Sequence, residues 1–191
     1  MADLPTLITQ RFTLRALRRS DAAALLPTLS DPEHCRYLSR PAFASEEELW
    51  GWLADPAWPG RTWIAVDEAG AVAGRFVAIP REPASPSDGV SEIGYITCAQ
   101  RQGEGVAREC TAALITHLFA RPVSQGGARK LTAEVDTRNA PSIALLERLG
   151  FTREATLREH DATHLGLCDV HWYGLLAREW SPPEALAPPS S

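Results

Sequence analysis

Between residues 8 and 17 (I-T-Q-R-F-T-L-R-A-L), Phe12, Leu14 and Ala16 alternate with polar neighbours, the period-2 pattern of a half-buried strand. Ser20 and Asp21 then offer side chains suited to an N-cap ahead of A-A-A-L-L-P-T-L. Asp31-Pro32-Glu33 opens a second short helix, with the proline in the first turn, where its missing N–H costs nothing. Ser45 and Glu48 have capping-box spacing ahead of Leu49, Trp50, Trp52 and Leu53. Two apolar runs, 63–66 and 72–79, flank D-E-A-G-A and predict a hairpin turned near Gly70. A Pro/Ser loop over 80–89 separates these from another apolar strand over 90–97.

In the second half, Val106, Cys110, Ala113, Leu114 and Leu118 recur at helical spacing and define one face. Gln125-Gly126-Gly127 interrupts the chain before a strand over 131–135. Ala140-Pro141-Ser142 opens a helix with Ile143, Leu146 and Leu149 on one face, ending at Gly150 as a C′ glycine. Residues 151–158 and 170–176 predict two closing strands around a polar loop. Interleaved strands and helices predict an α/β fold, a sheet covered on both faces. At 191 residues the chain is expected to form one domain over 1–180, with a mobile proline-rich tail over 181–191.

Composition narrows the function. Hydrophobic residues make up 45% and charged residues 23%, a globular balance. The net charge of -5 argues against a nucleic-acid surface and suits a cationic partner better. No stretch reaches the about 18 apolar residues of a membrane span, and charges break up the first thirty positions, so neither a membrane nor a signal peptide is expected. Cys35, Cys98, Cys110 and Cys168 are scattered without a C-x-x-C pair, which predicts reduced thiols in a cytoplasmic protein.

The segment Q-R-Q-G-E-G-V-A-R-E, from Gln100 to Glu109, places two glycines where a strand gives way to a helix. Such a turn bares backbone N–H groups at the positive end of a helix dipole, an anion site whose natural guest is phosphate. Without Cβ atoms at Gly103 and Gly105, oxygens can approach the main chain closely. Arg108 stands where a Rossmann fingerprint needs a small residue, and the Gly-Lys-Ser/Thr ending of a P-loop is absent.

Together with three further motifs in order, this segment resembles the GNAT superfamily of acetyl-CoA-dependent N-acetyltransferases. Gln100-x-x-Gly103-x-Gly105 resembles its pyrophosphate signature, and R-F-T-L-R-A-L-R-R-S-D-A (11–22) the opening of the branch that acetylates ribosomal-protein N-termini. E-I-G-Y (92–95) is similar to its fourth strand, and N-A-P-S-I-A-L-L-E-R-L-G-F (139–151) to its N-x-x-S…L-G-F segment. The resemblance implies a mixed, mostly antiparallel sheet whose fourth and fifth strands splay apart to admit the pantetheine arm of coenzyme A. It further implies that Ile96, Thr97 and Cys98 bind that arm through their main chain, and that Gln102, Gly103, Glu104, Gly105, Val106 and Ala107 cradle the pyrophosphate. Asn139 and Ser142 would face the same slot.

The implied reaction is direct attack of a primary amine on the acetyl-CoA thioester, which needs a base, an oxyanion donor and a proton for the thiolate. Glu92 is either a base in an apolar strand or a cross-sheet partner of Arg75. Asp161, with Glu159 and His160 as rivals, is either the base or a solvated loop carboxylate. Leu146 stands where many family members place a tyrosine acid, which shifts the proton donor to Ser142 or a water it orients; Ser142 equally suits helix capping. His160, His164 and Cys168 would cluster only on a helix, which Gly166 argues against, so no metal is expected. Trp50, Trp52, Trp58 and Trp63 either wall the acceptor pocket or fill the core. The acceptor is expected to be a protein or peptide N-terminal α-amine, such as that of a ribosomal protein, whose pKa of about 8 makes deprotonation easier than for a lysine at about 10.4. A small-molecule amine such as an amino acid, polyamine or antibiotic, and a non-catalytic acyl-CoA-binding module, are the competing readings; monomer and homodimer both fit.

Overall fold

The computed structural model describes residues 4–80 and 89–183. Most of the expected Pro/Ser loop (81–88) and of the tail (184–191) lies outside the described residues. One mixed eight-stranded sheet runs β1 (Leu7–Ile8), β2 (Thr13–Ala16), β3 (Arg61–Val66), β4 (Val72–Pro80), β5 (Val90–Thr97), β6 (Lys130–Asp136), β8 (Gly166–Leu176), β7 (Thr152–Thr163). Every neighbouring pair is antiparallel except β5 with β6.

Helices cover both faces. On one side α4 (Val106–Ala120) and α5 (Ala140–Arg148) pack with Leu114, Leu118 and Leu146 against Leu14, Trp63 and Phe76 of the sheet. The predicted stripe Val106, Cys110, Ala113, Leu114 and Leu118 is buried throughout. Each fully buried leucine contributes about 1.5–3 kcal/mol. On the other side α1 (Asp21–Leu29), α2 (Pro32–Cys35) and α3 (Glu46–Leu53) bring Leu25, Leu29, Leu49 and Leu53 onto Ile64 and Val66.

Four local expectations change. The first strand is two: Thr9 donates its N–H to Phe12 O and accepts the Phe12 N–H on its hydroxyl, both at 2.9 Å, turning the chain back so that Leu7 pairs with Leu14. The strand expected as fourth is therefore fifth in chain order. Ser20 makes no side-chain cap; Asp21 instead takes the N–H of Arg18 at 2.7 Å and both Arg15 Nη atoms at 2.8 Å. Ser45 caps α3 through the Glu48 N–H, but the Glu48 carboxylate reaches past it to Ala44 N at 2.8 Å. The polar loop of the last hairpin is mostly strand, because β7 is an exposed edge with few apolar positions to betray its period.

Candidate active site

Strands β5 and β6 pair only through Val90, Ser91 and Glu92, opposite Lys130, Leu131 and Thr132. Beyond that point β5 continues to Thr97 against β4 alone, and β6 continues to Asp136 against β8 alone. Residues 93–97 therefore have one open edge, inside the sheet. Cys98 N donates to Ala73 O at 3.0 Å, which fixes the alternation of main-chain groups along β5. Ile96 turns its N–H and C=O to β4, while Tyr95 and Thr97 direct theirs into the gap. The Ile96 and Cys98 N–H groups expected to meet a ligand are thus already spent on β4, leaving Thr97 of the three, and the buried Cys98 thiol is pushed up by desolvation.

Glu92 sits on the last paired rung, at the vertex of the gap. The expected pairing of Glu92 with Arg75 is absent, because the register sets Glu92 opposite Ile79 and Arg75 opposite Ile96. Across the gap, Asn139 caps α5 by accepting the Ser142 N–H at 3.3 Å, so the capping role belongs to Asn139 and leaves the Ser142 hydroxyl outside the cap. The Tyr95 hydroxyl donates to Ser142 O at 3.4 Å and joins the two walls. Burial pushes its pKa up to about 12, so it stays protonated. Sequence reasoning passed over Tyr95, although the alternation in E-I-G-Y already sets it on the face opposite Glu92. Leu146 is fully buried core.

At the end of β5, Ala99 N donates to Thr28 Oγ1 at 2.8 Å, and a 3-10 turn (Ala99–Arg101) leads into exposed Gln102, Gly103, Glu104 and Gly105. Gly103 and Gly105 have φ of +80° and +79°, a left-handed conformation that costs other residues about 1–2 kcal/mol. Gly105 is the N-cap of α4 and supplies no side-chain cap, so the first N–H groups of the helix, including those of Val106 and Ala107, face outward. A Cβ at Gly103 would meet nothing within 4 Å. Arg101 holds the loop from below, 2.8 Å from both Asp67 and Glu104. Arg11 donates to Glu104 O at 3.0 Å and pairs with Glu109 at 2.7 Å. Burial pushes the Glu109 carboxyl up, but hydrogen bonds from Thr9 and Arg11 outweigh it and hold the group below its ordinary range.

Asp161 lies on strand β7 opposite Cys168, not in a loop, and is exposed. A register shift precedes it, with Glu159 at φ +48°. At this hairpin tip His164 contacts Leu38 O at 3.3 Å, and Tyr37 donates to Arg138 O at 3.0 Å, so the segment after α2 touches both the β7–β8 tip and the residues that follow β6. His160, His164 and Cys168 lie along this hairpin, and no group of metal-ligating residues occurs among the described residues. Trp63 belongs to the core, whereas Trp52 and Trp58 flank the Arg75 guanidinium at 4.5 and 4.9 Å.

The sequence pattern defining the acetyltransferase (GNAT) domain matches residues 11–152. The chain belongs to the GNAT acetyltransferase family. It is 32% identical to the uncharacterized N-acetyltransferase p20 of Bacillus licheniformis over 186 residues, covering 93% of this chain and 99% of that one. Among solved structures, it resembles a ribosomal alpha-N-protein acetyltransferase in complex with coenzyme A, with TM-score 0.75 and 21% identity over 90% of this chain and 98% of that one. It also resembles spermidine N-acetyltransferase of Vibrio cholerae in complex with CoA and spermine, with TM-score 0.73 and 21% identity over 88% and 96% of the two chains. These two likenesses show a shared fold. The chain is an N-acetyltransferase by family, and no helix among its described residues is long and apolar enough to cross a membrane.

Proposed function

We propose that this GNAT enzyme moves the acetyl group of acetyl-CoA by direct attack to a primary amine, with a protein or peptide N-terminal α-amine as acceptor. The observation that carries the reading is the departure of β6 from β5 after Glu92, followed at Gly105 and Val106 by bared amides at a helix start. The amides of Gln102, Gly103, Glu104, Gly105, Val106 and Ala107 hold the diphosphate, helped by the α4 dipole. Tyr95 and Thr97 replace the missing β6 partner with hydrogen bonds to the pantetheine arm; Ile96 lines the arm and Cys98 anchors the strand end. Bound acetyl-CoA supplies the activated thioester.

Glu92, at the vertex, or Asp161, at the hairpin tip, takes the amine proton directly or through water. An N–H at the open edge of β5 stabilises the oxyanion. As the C–N bond forms and the C–S bond breaks, the Ser142 hydroxyl or a water it orients protonates the thiolate. Tyr95 holds the first turn of α5 in place for that transfer. A small-molecule amine as acceptor is the second reading, supported by the contacts of Tyr37 and His164, which bring the segment after α2 against the residues beyond β6 and the β7–β8 tip.

Acetyl-CoA is offered with a panel of peptides and small amines, following free thiol and the acetylated product by mass. CoA binding without thiol release from any acceptor would replace this reading by a binding module. Glu92→Gln and Asp161→Asn then separate the bases: the one that leaves the pH–rate profile unmoved is not the base.

A further inference from the structure

Among the described residues, Arg75 is a buried cation without a counter-anion. The residue is 6% exposed, and its Nε is buried with no hydrogen-bond partner. Of five N–H donors, the structure gives one bond, from Nη2 to Thr62 Oγ1 at 3.3 Å. No carboxylate pairs with it among the described residues, whereas the half-buried Arg15 is met by both oxygens of Asp21. The rings of Trp52 and Trp58 approach the guanidinium on either count at cation–π distance. Such contacts attract a cation but satisfy no N–H. Trp58 is held there by a bare backbone, since a Cβ at Gly60 would come within 2.4 Å of the indole. Desolvation lowers the Arg75 pKa to about 10, and the group remains charged at neutral pH. A folded chain that keeps a buried, protonated guanidinium this poorly paired has left its anion to something that binds.

Its position says what that is. Arg75 stands opposite Ile96, in the stretch of β5 that has lost β6, and Glu92, Gly94 and Ile96 share its face of the sheet by alternation. The diphosphate loop lies beyond Thr97, past the end of the strand. Four residues separate Glu92 from Ile96, about 13 Å along the strand. The guanidinium itself reaches Thr62 on β3 and lies beside Trp52 and Trp58, on the sheet face that Glu92 shares, so an acceptor carboxylate would meet it on that face.

We propose that Arg75 recognises a carboxylate on the acceptor, so that the amine acetylated at this slot belongs to an amino acid or to a peptide whose first residue is acidic. This rests on the acetyltransferase reading above and adds the acceptor's charge. Planar, forked and flanked by indoles, the guanidinium matches a carboxylate held by two parallel bonds. A polyamine would meet like charge at the same place.

The test uses the full chain with matched acceptors: free α-amino acids against their primary amides, and Asp- or Glu-initiated dipeptide amides against Asn- or Gln-initiated ones. A charge-assisted hydrogen-bonded contact predicts about 10- to 100-fold higher kcat/KM for the acid members of one set. Preference within the first set assigns the α-carboxylate; within the second, the acidic side chain. Arg75→Lys and Arg75→Gln should erase the preference while activity toward the amide member stays within a few-fold. Calorimetry of acid and amide members in the presence of CoA supplies a readout free of turnover. Acid-selective binding without any thiol release would sink the catalytic reading and uphold this one. Equal binding and turnover of acid and amide by the unaltered chain would overturn the proposal, even if the variants do not fold.

Discussion

Gly103→Ala separates what the loop costs the fold from what it gives to binding. At φ +80° with nothing within 4 Å of the added Cβ, the substitution meets no clash and carries only the left-handed strain of about 1–2 kcal/mol. Gly150, at φ +86° beyond the end of α5, offers a matched control, its nearest atom being Leu175 Cδ1 at 3.9 Å. Both alanine variants should lose similar stability, roughly 2–8 °C in Tm for a chain of this size. The two should differ in affinity for coenzyme A. If the loop holds the diphosphate as proposed, a Cβ at Gly103 would stand where its oxygens approach the amides, and losing one charge-assisted bond of about 1.5–3 kcal/mol would weaken binding about 10- to 100-fold. Gly150→Ala should leave the affinity unchanged. Thermal melts and calorimetric titration with CoA read the two effects independently. Equal melting losses with equal, undiminished CoA affinity would remove the loop from the binding site and with it the physical basis of the functional reading.

Two further substitutions follow from the ion pairs. Asp21 is 1% exposed and receives three hydrogen bonds, so Asp21→Asn should cost about 3 kcal/mol by leaving the Arg15 guanidinium uncompensated; a denaturant midpoint unchanged from the parent chain would contradict this. Glu109 is held below its ordinary pKa when folded, so its contribution is complete above the unfolded value of 4.5 and disappears as pH falls through the lower folded value. Glu109→Gln should accordingly lower stability at neutral pH by about 1–3 kcal/mol and flatten the acid limb of the stability–pH curve; an unchanged limb in chemical denaturation would show that Arg11 and Thr9 do not depend on the charge.

How far the sequence carried depended on whether a feature had a local signature. The α4 stripe, the α5 proline start with its glycine stop, and the turn at Gly70 are written in neighbouring residues, and each forms as read. The gap itself has no local signature. Nothing in V-S-E-I-G-Y-I-T says that its partner departs after the third residue; that follows from the tertiary path of β6, which the family resemblance supplied. Arg75 was legible only as a charge in an apolar strand, and pairing it with Glu92 was reasonable until register separated them by four residues. The tip of the β7–β8 hairpin was misread for the opposite reason: an edge strand exposed on most positions shows no alternation, so Asp161 looked like a loop residue. Cys98 shows a third kind of gap, since which edge of a strand an N–H faces is settled by a hydrogen bond to Ala73, 25 positions upstream.

That last distinction gives a test at single-amide resolution. Unpaired main-chain groups within a sheet are costly when dry and exchange freely when wet. The amides of Ile96 and Cys98 bond to β4 in the free protein, whereas those of Tyr95 and Thr97 open onto the gap. Hydrogen exchange should therefore find Ile96 and Cys98 protected before any ligand is added, and Tyr95 and Thr97 fast. Adding CoA should slow Tyr95 and Thr97 beyond the general stabilisation of RT ln(1 + [L]/Kd) that binding confers on every globally exchanging amide. Uniform slowing along β5 would mean that CoA stabilises the fold without lying against this edge. Prior protection of Tyr95 and Thr97, unchanged by CoA, would mean that the gap between β5 and β6 is filled by the chain itself, and a strand that already has its second partner has no vacancy for a pantetheine arm.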